Sequence, residues 1–161
     1  MPFLNSVVYR EVERGDLSAL AEIRAADWGT VEFWAGRLSG YLDGIYNPLD
    51  SLVPRVMYTA LKDSHPIGFI AGHLTHRYNC EGELQWISVL AEHRGLGIAS
   101  RLFQNLAGWF VANNVVRVCI NCDMDNEHLV NFLSRHGAMP LNRHWLIWSD
   151  IRMHAPVTDA P

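Results

Sequence analysis

The segment from Glu83 to Ala112 constrains the fold of this chain more than any other. It begins with ELQWISVL, a short apolar run without glycine or proline, which is typical of a mostly buried strand. It ends with RLFQNLAGWFVA, whose apolar residues recur at helical spacing and predict an amphipathic helix. Between the two lies the loop Arg94-Gly95-Leu96-Gly97-Ile98-Ala99. The sequence therefore predicts a strand that leads through a glycine-containing loop into a helix.

This loop has the chemistry of an anion-binding site. The first backbone N–H groups of a helix lack intrahelical partners, and the helix dipole makes that end positive. Glycines let a ligand approach the backbone closely, and Arg94 adds a fixed positive charge. We therefore expect a pyrophosphate cradle. The spacing matches neither the dinucleotide glycine motif nor the P-loop. The alternative is an ordinary turn before a surface helix.

The loop and the chain after it resemble one known superfamily. Arg94-x-x-Gly97-x-Ala99 is similar to the acetyl-coenzyme A motif of the GNAT N-acetyltransferases, Arg/Gln-x-x-Gly-x-Gly/Ala. The segments VRVCINCDMDN and EHLVNFLSRHGA resemble the family's next strand and helix, with Asn126 at the start of that helix and Gly137 at its end. The resemblance covers residues 6–152 of a single domain, followed by a flexible tail over 153–161. It implies an α/β fold, a mixed and twisted central sheet of about six or seven strands with about four flanking helices.

The resemblance also implies an activity, the transfer of acetyl from acetyl-coenzyme A to a primary amine by direct attack. The backbone near Val89 would polarise the thioester carbonyl. Asn126 would contact the pantetheine arm as well as cap its helix. The other coenzyme A contacts would come from the strand end and the loop, namely Ser88, Val89, Leu90, Arg94, Gly95, Leu96, Gly97, Ile98, Ala99 and Ser100.

Glu83, at the start of the central strand, is the candidate catalytic residue. Only a neutral amine can attack a thioester, and a carboxylate can remove the ammonium proton if burial raises its pKa towards the working pH. The resemblance implies a general base near this point, which usually acts through water. The alternative is a solvated Glu at a strand end, because exposed Glu is common. Glu81 is a weaker candidate for the same role.

One departure from the family concerns the general acid. Many members carry a Tyr four residues before the glycine that ends the helix, where this chain has Leu133, and Ala138 replaces the usual aromatic residue after that glycine. The leaving thiolate could be protonated by water or by another donor, with Cys122, Tyr78 and His93 as candidates. Alternatively, the chain is a non-catalytic acyl-coenzyme A binding or regulatory domain, or a nucleotide-phosphate binding protein with a coincidental loop.

The remaining elements fill the places that the resemblance requires. Strands are expected over 7–12, 55–61, 67–76, 116–122 and 144–151. A first helix is expected to begin at the N-cap Asp16 and to end at Gly29, and a second to begin at Thr30 and to end at Tyr41 or Leu42.

Aromatic residues are concentrated in the helical region that faces the acceptor in the family. On general grounds such residues belong to the core. The functional alternative makes Trp28, Trp34 and Tyr78 the residues that contact the acceptor amine, which could be a small molecule, a peptide N-terminus or a protein lysine.

Composition excludes several other functions. A net charge of −4 without blocks of like charge argues against nucleic acid and anionic membranes as partners. Three cysteines argue against a disulfide framework and favour a reducing, cytoplasmic location. No secretory signal or membrane span is recognisable. We expect no metal, since His73 and His76 would lie on opposite faces of a strand, and no redox role for Cys119-x-x-Cys122. A homodimer remains open.

Overall fold

The computed structural model describes residues 6–157, and these form one seven-stranded sheet flanked by four α-helices. The strands are β1 Val7–Glu11, β2 Ser51–Lys62, β3 His65–Thr75, β4 Gly82–Val89, β5 Val118–Asn121, β6 Met139–Pro140 and β7 Trp145–Trp148. The helices are α1 Leu17–Ala25, α2 Val31–Leu42, α3 Ile98–Ala112 and α4 Glu127–Arg135. The spatial order of the strands is β1-β2-β3-β4-β5-β7-β6. The predicted mixed α/β sheet is confirmed.

The sheet opens between β4 and β5. All other neighbours are antiparallel, whereas β4 and β5 are parallel and pair only at Gly82 with Val118 and at Glu83 with Cys119. On the other side of β4, the register with β3 shifts at Gln85. A bulge of this kind bends the strand and increases its twist. The second half of β4 therefore separates from β5 and leaves an unpaired edge.

Each face of the sheet carries its own core. Leu102, Leu106 and Phe110 of α3 are buried against one face, and α1 and α2 cover the other. The close approach of α3 requires a glycine in β4, because a Cβ at Gly82 would lie 2.6 Å from the Phe110 ring. Among the described residues, no helix has the length and apolar character needed to cross a membrane.

Helix ends were predicted unevenly. The Thr30 cap is confirmed, since its hydroxyl accepts from the Phe33 N–H at 3.1 Å, and α2 ends at Leu42. Helix α1 begins directly after Asp16, as predicted, but the Asp16 side chain makes no capping hydrogen bond to it. Asp16 lies in a 3-10 turn before α1, and its carboxylate accepts hydrogen bonds from Arg10 and from the Glu13 N–H. Arg10 of β1 thus binds the carboxylate that was expected to cap α1.

Strand ends also differ from the prediction. The hairpin strands are longer than expected and turn at Asp63 and Ser64. The last strand is shorter, and β6 was not predicted. At the C-terminal end, a 3-10 turn over Ile151–His154 packs on the domain with Ile151 fully buried, so the expected tail is structured at its beginning. The residues of that tail from 158 to 161 lie outside the described part.

Candidate active site

A cleft of about 530 Å³ lies between the open end of β4, the loop and α4. It is lined by most of the residues predicted to bind coenzyme A, namely Ser88, Val89, Arg94, Gly95, Gly97, Ile98, Ala99, Ser100 and Asn126. Two of the predicted residues do not line it. Leu90 packs against the cores, and Leu96 is half exposed. The fold thus brings together residues from β4, the loop and the start of α4.

The glycine loop has the backbone of an anion cradle. Gly95 and Gly97 have φ angles of 78° and 82°, in the left-handed region that favours glycine. A Cβ at either position would meet no atom within 4 Å, so the space beside the loop is open. Helix α3 begins at Ile98, and no side chain caps it. Its first N–H groups therefore have no side-chain acceptor, and the loop fits a phosphate group.

The edge of β4 contributes backbone groups to the cleft. The Leu90 N–H donates to the Ile67 carbonyl of β3 at 2.9 Å. In a strand, the N–H and C=O of one residue point to the same edge of the strand, and those of the next residue point to the opposite edge. The N–H and C=O of Val89 therefore point away from β3, towards the opening. The Val89 carbonyl accepts from Arg94 Nε at 3.0 Å. The other end of the Arg94 guanidinium lies 3.7 Å from the Asp27 carboxylate. Arg94 is thus held beside the cleft at two points.

Arg24, which was not among the predicted site residues, enters the cleft from α1. It donates to Ser88 Oγ at 3.0 Å, and its guanidinium lies 4.3 Å from the centre of the Trp34 ring. Its Nε is buried and has no hydrogen-bond partner. Burial lowers the pKa of this guanidinium, while the Asp27 charge opposes that change. No local pattern could have indicated this contact, which joins residues 64 positions apart.

Helix α4 forms the opposite wall. The Asn126 cap is confirmed, because its side chain accepts from the Leu129 N–H at 3.2 Å. Leu129 and Phe132 line the cleft, whereas Leu133 is fully buried in the core. The position at which the family carries its Tyr acid therefore packs inside this domain and does not border the cleft. Gly137 follows the helix with a φ angle of 92°.

Glu83 is buried, so the alternative of a solvated Glu is wrong. Its exposed fraction is 5%. Its Oε1 lies 3.5 Å from Arg77 Nε and 3.7 Å from His73 Nε2, and none of these three buried atoms makes a hydrogen bond. His73 Nδ1 lies 3.0 Å from the Tyr41 hydroxyl. Because burial raises the pKa of Tyr41, this hydroxyl stays protonated.

Glu83 therefore belongs to a buried charged cluster, which we define as Tyr41, His73, Arg77 and Glu83. The cluster lies where β4 and β5 pair for the last time, so it adjoins the opening of the sheet. It does not line the cleft itself. Glu81, the weaker candidate, has a structural contact, since its Oε1 accepts from the backbone N–H groups of Val116 and Arg117.

The candidate proton donors lie in different environments. His93 lines the cleft. Cys122 is buried, and burial raises the pKa of its thiol. Tyr78 is 42% exposed, and its ring packs against Trp145 with centroids 5.3 Å apart. Of these candidates, only His93 borders the cleft.

The candidate acceptor residues also differ in exposure. Trp28 is 57% exposed, whereas Trp34 is 3% exposed and belongs to the core beneath α2. Within the described part of the chain, no group of three or more metal-ligating side chains comes together. Cys119 and Cys122 are both buried.

Comparison with known families assigns the chain as a whole. A sequence model of the acetyltransferase (GNAT) family matches residues 17–138. This range includes the loop, the cluster around Glu83 and both walls of the cleft. A search of curated protein sequences finds no match.

Several solved structures share the fold. The PaiA N-acetyltransferase of Thermoplasma acidophilum, in complex with coenzyme A, is 14% identical with a TM-score of 0.68, covering 89% of this chain and 99% of its own. The NatC complex bound to Gag peptide and coenzyme A gives 17% identity and a TM-score of 0.66, covering 89% and 98%. An aminoglycoside 6'-acetyltransferase of type Ii gives 17% and 0.68, covering 94% and 99%. The family match and this shared fold lead to one conclusion: the chain belongs to the GNAT family of acetyltransferases.

Proposed function

We propose that this acetyltransferase moves the acetyl group of acetyl-coenzyme A to a primary amine by direct attack of the amine on the thioester. The observation that carries the proposal is the open cradle formed by Gly95, Gly97 and the uncapped start of α3, next to the unpaired edge of β4. The GNAT structures that contain coenzyme A support the choice of ligand. No covalent enzyme intermediate is required.

The loop and strand would hold the co-substrate. Gly95, Gly97 and the first N–H groups of α3 would bind the pyrophosphate, with Arg94 supplying charge. The outward peptide groups of Val89 would bind the pantetheine arm in the manner of an added strand. When bound, acetyl-coenzyme A supplies an activated acetyl thioester. A backbone N–H of β4 near Val89 would polarise its carbonyl.

Glu83 would accept the proton of the ammonium through a water molecule. Its Oε1 has no hydrogen bond and therefore retains its lone pairs for such a water. Arg77 lies near enough to fix the orientation of the carboxylate and to stabilise it electrostatically. With Leu133 buried, the leaving thiolate would take a proton from water or from His93. Because thiols have a pKa of about 8.5, a missing acid slows the reaction without preventing it.

The acceptor would be a small-molecule or peptide amine. Trp28 and Tyr78 offer exposed aromatic surface, whereas Trp34 is buried and would act through its packing with Arg24. Neighbours with the same fold include an aminoglycoside acetyltransferase and a complex bound to a peptide, so both acceptor classes fit the fold.

Thermal unfolding with and without acetyl-coenzyme A tests the cradle. At 100 times its dissociation constant, a ligand of the native state stabilises it by about 2.7 kcal/mol. We expect a corresponding rise in Tm, and we expect the variant Arg94→Ala, Gly97→Trp to lose it. The matched control is Arg143→Ala, Gly36→Trp, which makes the same changes at exposed positions away from the cleft. No rise in the well-folded native protein would contradict the proposal.

A panel of amines separates catalysis from binding. Release of free thiol from acetyl-coenzyme A, dependent on an amine, would support transfer. Stabilisation without thiol release on a broad panel would favour a non-catalytic acyl-coenzyme A binding domain. Protection by ATP that coenzyme A cannot displace would instead indicate a nucleotide-phosphate site.

A further inference from the structure

A serine and a histidine meet beside the predicted phosphate cradle. Ser100, in the first turn of α3, lines the cleft, and its Oγ lies 3.0 Å from Nε2 of His136. His136 follows the last residue of α4, and its Nδ1 lies 2.9 Å from the carbonyl oxygen of Phe132. Neither contact takes part in the proposed acetyl transfer.

The carbonyl contact fixes which nitrogen carries the proton. A carbonyl oxygen only accepts hydrogen bonds, so His136 Nδ1 must bear its hydrogen. In the neutral imidazole, Nε2 is then an acceptor, and the Ser100 hydroxyl must donate to it. The hydroxyl proton is thus engaged with His136. Only lone pairs of Ser100 remain for the cleft, which is the wrong polarity for a phosphate.

Protonation reverses this arrangement. In the imidazolium, Nε2 becomes a donor to Ser100 Oγ, and the serine hydroxyl is free to donate to an anion. The positive charge is added next to the cradle, where it favours the same anion. We propose that His136 is a positioning residue that sets the donor direction of Ser100, so that the diphosphate of coenzyme A binds most tightly when His136 is protonated. The inference rests on the proposed binding of coenzyme A.

The surroundings of His136 make this protonation ligand-dependent. Phe132 and Phe103 pack against its ring with centroids 4.3 and 5.4 Å away. The charged groups around it are Arg135 on α4 and His154, with Asp150 behind it, on the C-terminal 3-10 turn. Burial and the proximity of His136 lower the pKa of His154. A diphosphate bound beside Ser100 would favour the positive charge on His136.

The proposal fixes the direction in which affinity depends on pH. A ligand that prefers the protonated form of a group binds more tightly as the pH falls through the titration of that group, and its binding promotes protonation of the group. Affinity for coenzyme A should therefore rise as the pH falls. The cleft also contains His93 and His128, and the ligand has its own titrating phosphate. The informative quantity is the difference between the wild type and a His136 variant.

Isothermal titration calorimetry with coenzyme A, from about pH 8 to about pH 6, measures that difference. Between the two ends of the range, we expect the wild type to gain about tenfold more affinity than His136→Gln, because a hydrogen bond to a charged group has that worth. Ser100→Ala should reduce the same pH-dependent gain, because it leaves His136 and its charge in place but removes the hydroxyl donor. His144→Gln is the matched control, since His144 is exposed and does not line the cleft, and it should leave the gain intact.

The imidazole signals of His136 in NMR give a second readout that a purely structural role would not move. Saturation with coenzyme A should move the midpoint of the His136 titration to higher pH in the wild type, and less so in Ser100→Ala. Parallel pH profiles for the wild type and His136→Gln would overturn the inference alone. Absence of coenzyme A binding at every pH would overturn the proposed function as well.

Discussion

Asp16 and Glu83 are buried to a similar degree, with exposed fractions of 7% and 5%, but their surroundings differ. Asp16 accepts two hydrogen bonds from Arg10, at 2.7 and 3.1 Å, and one from the Glu13 N–H at 2.8 Å. Glu83 has Arg77 at 3.5 Å and His73 at 3.7 Å, and its Oε1 accepts no hydrogen bond. The Asp16 carboxylate is fully hydrogen-bonded, whereas Glu83 Oε1 lies close to a guanidinium without accepting a hydrogen bond from it.

This difference separates a structural carboxylate from an available one. The Arg10 hydrogen bonds hold the pKa of Asp16 below its usual range, so its charge serves the fold. A buried oxygen without a partner is costly to stability, and such groups are concentrated at functional sites. The comparison predicts that neutralising Asp16 affects unfolding, whereas neutralising Glu83 affects turnover.

Glu83→Gln should have the largest effect. Loss of the general base is expected to lower kcat about 100-fold or more. The free energy of unfolding and the affinity for coenzyme A should change little, because no hydrogen bond to Oε1 is lost. Thiol release with an accepted amine measures kcat. Glu81→Gln is the control and should keep the kcat of the wild type. Equal kcat values for the two variants would contradict the role of Glu83 as general base.

Leu133→Tyr tests whether a Tyr at the position of the family's general acid can take part in the reaction. Since Leu133 is fully buried, the larger ring should overpack the core and cost about 2 kcal/mol of stability. Urea unfolding measures this loss. Leu129→Tyr, at a position that borders the cleft, should cost less. A rise in kcat for Leu133→Tyr would show that the position reaches the thioester after all.

Asp16→Asn should lower the free energy of unfolding at pH 7 by about 1 to 2 kcal/mol, because two charge-assisted hydrogen bonds are weakened. The pKa of Asp16 is depressed in the folded state, so its stabilisation is present above the unfolded value near 4 and is lost as the pH falls below it. The wild type and the variant should therefore converge once the pH falls below the lowered pKa of Asp16. Urea titrations at several pH values test this. Asp43→Asn, in the more exposed pair with Arg14, should cost less stability than Asp16→Asn, because solvent screens that pair.

Arg77→Gln should have the smallest effect. It removes the nearest cation to Glu83 and so weakens the electrostatic support of the carboxylate, and kcat should fall by less than about tenfold. Arg143→Gln, an exposed change, should leave kcat unchanged. Thiol release measures kcat, and an unchanged value in Arg77→Gln would mean that Arg77 and Glu83 are not electrostatically coupled.

Local chemistry made several elements predictable. The apolar spacing of α3 and the oxygen-bearing caps Thr30 and Asn126 depend on residues within a few positions of one another. The Asp16 cap failed because Arg10, a residue of β1, offered a stronger partner than the helix end. The two-residue strand β6 was too short to leave a periodic pattern.

The candidate site divides in the same way. The glycine loop between strand and helix was predictable from local residues alone, because φ freedom, missing side chains and the helix dipole are local properties of Gly95, Gly97 and α3. The burial of Glu83 beside Arg77, the entry of Arg24 into the cleft and the contact between Ser100 and His136 are instead set by the packing of the fold. These contacts join segments that are distant in the chain, and burial and charge pairing depend on how the sheet and helices pack.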